Sequence, residues 1–346
     1  MRSGFRGRDK SEKYAFSKIK EDSTVNFTPF VFQAPLAAGG LALMAFNYLQ
    51  FAVPHGNGLI KLSDIPWDRL TTEQTALYLP LIGIMLAFSL INIISIAVFV
   101  RSLIRWLSNK TEYAKFMSAP PTTNIGILVP IASLSMSANV VLAPLAFFVP
   151  VLASNIQALM LPALIFYGFL LVALLRLELK LFKIWFAQPM DTSKLNFVWL
   201  IDAFAFGLVN LTGSGIATLS RNEALASIAA FASFFALGVG LLLFVFKFAF
   251  LIYAQTKSAK FPQSPVLPSY FLIVPITCLF GLSLYRMALY TGTHYQVEVR
   301  DLSFMLVNVS YAVTIGWAVF SLYLLRSYFT NYFYKGDFSP TMWAIV

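Results

Sequence analysis

The chain reads as an all-α integral membrane protein. Three observations predict this: eight long apolar runs, 58% hydrophobic against 12% charged residues, and a mean hydropathy of +0.74. A hydrocarbon core of about 30 Å needs about 20 helical residues at about 1.5 Å each. Soluble cores do not require unbroken runs of that length, so a soluble globular domain is excluded. The runs fall at 28–53, 78–100, 123–149, 156–175, 196–219, 225–254, 268–291 and 302–325.

Taken in order, the runs alternate in character. The first, FTPFVFQAPLAAGGLALMAF, holds Pro35 and the pair Gly39 and Gly40 in its interior. The loop that follows, about 55–75, carries Trp67, a residue type that settles at the headgroup level. The second run has its proline, Pro80, near its start. The third, NIGILVPIASLSMSANVVL, has Pro130 six residues after Asn124. The fourth keeps Pro162 to its first two turns, and the fifth substitutes Gly207, Gly213 and Gly215 for proline. The sixth and eighth lack proline, while the seventh, YFLIVPITCLFGLSLYRMAL, has Pro275 in nearly the place of Pro130. LVPIASLSMS and IVPITCLFGLS can be laid over each other, the mark of a repeated helical hairpin. A proline inside a helix removes a hydrogen bond and bends the axis. The carbonyl it frees is costly in hydrocarbon, so such helices face protein or a water-filled cavity. The expectation is an inner ring of odd helices lining a central pore and an outer ring of even ones.

Basic residues orient the chain, because short basic loops resist translocation. Twenty of the 25 Lys and Arg fall on the side of the N-terminus, from Arg2 through Lys20 and on alternate connections, which places that terminus in the cytoplasm. The net charge of +10 follows from this topology and asks for no nucleic acid. Residues 1–26 form a basic cytoplasmic tail without a signal-peptide pattern, and 27–346 one membrane domain.

Chemistry-bearing residues are few. The one cysteine, Cys278, lies in a span, and the two histidines, His55 and His294, fall in external loops. No haem pair, metal-ligand spacing or catalytic motif appears, so no enzyme, metal or cofactor is expected. Ser133, Ser135, Ser137, Asn139, Thr212, Ser214, Thr218 and Thr277 offer weak dipoles to an inner wall; the same residue types also glue helices together. Asp202, the acidic residue placed well inside a span, is a candidate for coupling, or pairs with Lys247 of the next span. Arg286, near the external end of the seventh span, is placed to draw anions toward the mouth, but is expected rather to anchor the helix at the interface or to pair with Glu298 or Asp301.

The odd-span openings, the VPI segments and the closing FSPTMWAIV resemble the tellurite-resistance/C4-dicarboxylate transporter family, which takes in TehA-like proteins, yeast malate and sulfite exporters and slow-type anion channels. The most specific piece is the pair Trp343 and Ala344 after Phe338, Ser339 and Pro340. The resemblance implies ten helices as five hairpins about a quasi-five-fold axis, a homotrimer in the bacterial inner membrane, and a phenylalanine plug on the ninth helix. Trp343, Ile345 and Val346 are then gate-adjacent, the plug position follows Val346, and the chain is expected to stop within its ninth helix. A fragment or misplaced stop explains that stop, as does a codon recoded for selenocysteine, since the TsoY group, which looks related, includes selenoproteins.

The expected function is passage of small inorganic or organic anions through a pore lined by Pro35, Gly39, Pro130, Ser133, Ser137, Gly207, Gly213, Pro275 and Thr277. The alternatives are a proton-coupled exporter of a C4-dicarboxylate or a sulfur or tellurium oxyanion, working through Asp202, and a redox-linked membrane selenoprotein.

Overall fold

A computed structural model describes residues 27–56, 58–187, 189, 191–258, 263–335 and 339–345. The basic segment 1–26 and Val346 lie outside them. Among the described residues there is no strand, and eight helices are long and apolar enough to cross a membrane. They are α1 (Pro29–Ala52), α2 (Thr72–Ser108), α3 (Pro121–Phe148), α4 (Ile156–Phe186), α5 (Phe197–Leu219), α6 (Glu223–Ser258), α7 (Ser264–Tyr295) and α8 (Arg300–Leu324). His294, expected in a loop, belongs to the last turn of α7 and stacks on Tyr290.

Inner and outer helices separate as the alternation predicts. The buried share of the most apolar window is 50, 83, 94 and 67% for α1, α3, α5 and α7, against 17, 28, 39 and 11% for α2, α4, α6 and α8. Lipid is the natural neighbour of the side chains that the even helices leave uncovered, such as Ile94, Phe169, Phe231 and Phe304. Helix α1 packs on α3, α3 on α5 and α5 on α7, with each even helix laid against an odd one. The last segment, Pro340–Ile345, packs on both the start of α7 and α1, so it closes the circuit between them. Ser339 and Thr341 donate to the carbonyl of Pro265 there. Above that closure, a cleft of about 1470 Å³ separates α1 from α7 and α8, walled by Met44, Tyr48, Leu282, Tyr285, Phe304 and Tyr311.

Each odd helix passes through a 3-10 stretch before its main α-helical run: Pro29–Phe32, Ile125–Leu128, Phe197–Leu200 and Ser264–Leu272. Pro340–Ile345 is a fifth such segment. This changes the role of the prolines. Pro35, Pro130 and Pro275 are the second or third residues of the α-helical runs beginning at Gln33, Val129 and Ile273, and so stand at the junction and not at a mid-helix kink. Where 3-10 pairing gives way to α pairing, a missing N–H costs least and the fixed φ already suits a first turn. The irregularity inside α3 is instead the π-turn Val141–Leu145, which accommodates Pro144.

Glycines let the rings close up. A Cβ on Gly39 would collide with Met136 and with Asn92, one on Gly207 would stand 3.1 Å from Leu279, and one on Gly213 would collide with Ser233 and Tyr167. Gly213 therefore faces α4 and α6, on the outer side of α5. Gly213→Val is expected to cost about 1–3 kcal/mol by overpacking, read as a lower melting temperature in detergent.

Candidate functional site

Every residue of α5 from Phe197 to Ala217 is buried, so what its neighbours present to it defines the centre of the molecule. On the α3 side the contact is a polar seam. Ser135 Oγ donates to the Leu208 carbonyl at 2.9 Å and lies 2.7 Å from Thr212 Oγ1, while Asn139 Nδ2 donates to Thr212 Oγ1 at 2.8 Å. These groups satisfy one another, as expected where a membrane leaves no water to do so. Ser133 and Ser137 sit about 200° around the helix from Ser135. Ser137 donates to the Ser133 carbonyl, and Ser133 Oγ is buried without a partner.

On the α7 side the contact is a charge. Arg286 reaches across to α5, where Nη1 donates to the Leu211 carbonyl at 3.1 Å. Gly215 makes room for it, since a Cβ there would stand 3.3 Å from Nη1. Leu279, one face-repeat earlier on α7, lies against Gly207, so the guanidinium extends a continuous α5–α7 contact. Among the described residues no carboxylate pairs with Arg286. The expected partners Glu298 and Asp301 are thus replaced by a backbone carbonyl. A guanidinium has five N–H donors in a fixed fork, and one carbonyl leaves donors over.

Behind α5, toward α4 and α6, lies a second charged group. Asp202, 0% exposed, is ion-paired with Lys247, 1% exposed. Lys247 also donates to the Trp199 carbonyl at 3.3 Å and sits over the rings of Trp199 and Trp185, 4.3 and 4.5 Å from their centroids. Aromatic faces stabilise a desolvated ammonium. Asp202 is not the lone acid within the spans: Glu178 on α4 is 4% exposed and adjoins both Asp202 and Lys247. The apolar run that ends at 175 hid it. Helix α4 continues to Phe186 because Leu170, Leu174, Leu181 and Trp185 keep an inward stripe, Glu178 taking the place of a leucine, while Arg176, Lys180 and Lys183 point outward.

The other predicted site residues scatter. Pro35 offers its carbonyl to Asn92 Nδ2 at 2.7 Å, binding α1 to α2. Thr277 Oγ1 meets Thr314 Oγ1 at 2.8 Å and its carbonyl accepts from Ser310, so it turns to α8. Pro130 and Pro275 open their α-helical runs; Ile345 packs on the main core beside Met342, and Trp343 is partly buried next to it. No group of three or more His, Cys, Asp or Glu residues among the described residues could hold a metal.

The sequence profile of the voltage-dependent anion channel family matches residues 26–346. No curated protein and no solved structure was found to match.

Proposed function

The chain belongs to the voltage-dependent anion channel family, and on that premise we propose that it conducts small anions along the inner faces of its odd helices, past Arg286. The observation that carries this is a cation within an apolar span that has, among the described residues, no acidic partner and donors to spare. Intramembrane charges of this kind mark ion pathways. The guanidinium lies in the half of α7 away from the 3-10 stretch, which the distribution of Lys and Arg makes the external half. An anion that sheds water there is met by N–H donors and by hydroxyls of weak field, which favours ions that dehydrate easily. Helix α5 exposes nothing between Phe197 and Ala217, so conduction is gated and begins when the packed inner faces part.

The protein is a multi-pass membrane protein. From the distribution of Lys and Arg we place its N-terminus in the cytoplasm, and on the family footing we treat 27–346 as one membrane domain and propose a trimer. Asp202, enclosed with Lys247 on the outer side of α5, acts in structure and not as the coupling group of a proton-driven exporter. The experiment is reversal-potential measurement on the purified protein in planar bilayers under a potassium chloride gradient. The potential is expected to follow the chloride equilibrium value; a potential that follows potassium, or the absence of current, would overturn anion conduction.

A further inference from the structure

We propose that the 3-10 segment Ser264–Leu272 is a strap that shuts one end of the α5–α7 contact, held by Trp317 and released when its last turn takes up α pairing. That end is the one which the distribution of Lys and Arg makes cytoplasmic. The segment runs for nine residues, whereas 3-10 runs beyond about four are uncommon because their hydrogen bonds are poorly aligned. Something outside it must therefore hold it. Pro265 and Pro268 bring no N–H of their own, and side chains from elsewhere take up two of its carbonyls. Ser339 and Thr341 donate to the carbonyl of Pro265 near the start. Near the end, Trp317 Nε1 of α8 donates to the Tyr270 carbonyl at 2.8 Å.

What the strap presents to α5 is the Tyr270 ring. It lies on the ring of Phe197, the first residue of α5, with centroids 4.4 Å apart, and both residues are buried. Trp317 backs the pair, its ring 6.0 Å from that of Phe197 and 5.2 Å from that of Phe248 on α6. The same α5–α7 interface carries Arg286 toward its other end, so Phe197 and Tyr270 stand across the route from the cytoplasm. Each residue that passes from 3-10 to α pairing changes the turn by about 20° and the rise by about 0.5 Å. Extending the α pairing of α7 back over Tyr270, Phe271 and Leu272 thus swings Tyr270 by about 60° and draws it along the axis by about 1.5 Å, which parts the rings. In α pairing the Tyr270 carbonyl accepts from the N–H of Val274; Trp317 instead draws it toward α8. The drive to open comes from Tyr270 itself, whose hydroxyl is buried without a partner and meets water once the contact parts.

The effect on current rests on the anion conduction proposed above; the movement of the strap does not, and the two are measured separately. Trp317→Phe keeps a ring beside Phe197 and Phe248 but donates nothing. In planar bilayers it is expected to raise the open probability about threefold or more at unchanged unitary conductance. A merely structural loss would lower the number of channels instead. Tyr270→Phe removes the hydroxyl that favours opening and is expected to lower the open probability by about the same factor. In protein labelled with 3-fluorotyrosine, the fluorine resonance of Tyr270, assigned by its loss in Tyr270→Phe, should divide into closed and open components. Trp317→Phe should shift their ratio toward the open one about threefold or more. Native open probability in both variants, or a ratio that Trp317→Phe leaves unmoved, overturns the strap. Were Trp317→Phe not to fold, an unchanged open probability in Tyr270→Phe would overturn it alone. A ratio that shifts in a protein without anion current would instead leave the strap standing and refute the conduction that its effect was tied to.

Discussion

Lys247→Met is expected to destabilise the protein by about 3–5 kcal/mol, because it strands Asp202 as an unpaired carboxylate in the interior. The pair is enclosed: Asp202 is 0% and Lys247 1% exposed, and the ammonium sits in the corner between the rings of Trp185 and Trp199. Water cannot substitute for the lost partner. A variant that removes both charges, Asp202→Asn with Lys247→Met, should recover most of the loss, since the cost lies in the orphaned charge more than in the missing attraction. Melting temperature in detergent checks both. A single variant as stable as the native protein would mean that the pair is loose or wet. The double variant matters for function too, for it separates a structural Asp202 from a coupling one: with stability restored, ion flux should be close to native.

The second large effect is on permeation. Arg286→Gln is expected to lower anion flux about tenfold or more, equivalent to about 1.4 kcal/mol of lost attraction. Glutamine keeps a donor for the Leu211 carbonyl, which Arg286 now contacts at 3.1 Å, so the α5–α7 contact can persist while the charge goes. Arg286→Lys separates charge from shape, retaining attraction but not the planar fork; its flux should lie between the two. Equal flux in all three proteins would show that the anion does not pass this residue. Flux assays in liposomes, normalised to folded protein, give the answer.

The position of each span along the chain was readable from the sequence, and direction around a helix was not. Hydropathy located each span because lipid demands an unbroken apolar length. The alternation of proline and glycine between odd and even runs separated inner from outer helices, since only enclosed helices tolerate such interruptions. The same residues misled in detail. Pro35, Pro130 and Pro275 mark changes from 3-10 to α pairing, a distinction that composition does not encode. Gly213 and Thr277 read as pore-facing, yet neighbours on outer helices meet both, because helical phase against unknown partners decides where a side chain points. Arg286 was read as an attractor of anions at the mouth or, in preference, as an end-of-span anchor or a partner of Glu298 or Asp301; its contact is with Leu211, across an interface that no local pattern announces. Glu178 had a signal that went unused. It occupies an i, i+4, i+7 stripe with Leu174, Leu181 and Trp185 while cations ring the other face, which is the mark of a helix that outlasts its apolar run.

The central claim is that anions travel at the α5–α7 contact beside Arg286, and cysteine accessibility tests it most directly. In a Cys278→Ser background, which removes the exposed native thiol, Gly215→Cys places a thiol against the guanidinium, where a Cβ stands 3.3 Å from Nη1. Phe231→Cys places one on the exposed face of α6, where Phe231 is 79% exposed. A negatively charged methanethiosulfonate reagent is expected to block flux through the Gly215→Cys protein and to leave the Phe231→Cys protein unaffected. Unchanged flux after confirmed labelling of Gly215→Cys would contradict the route.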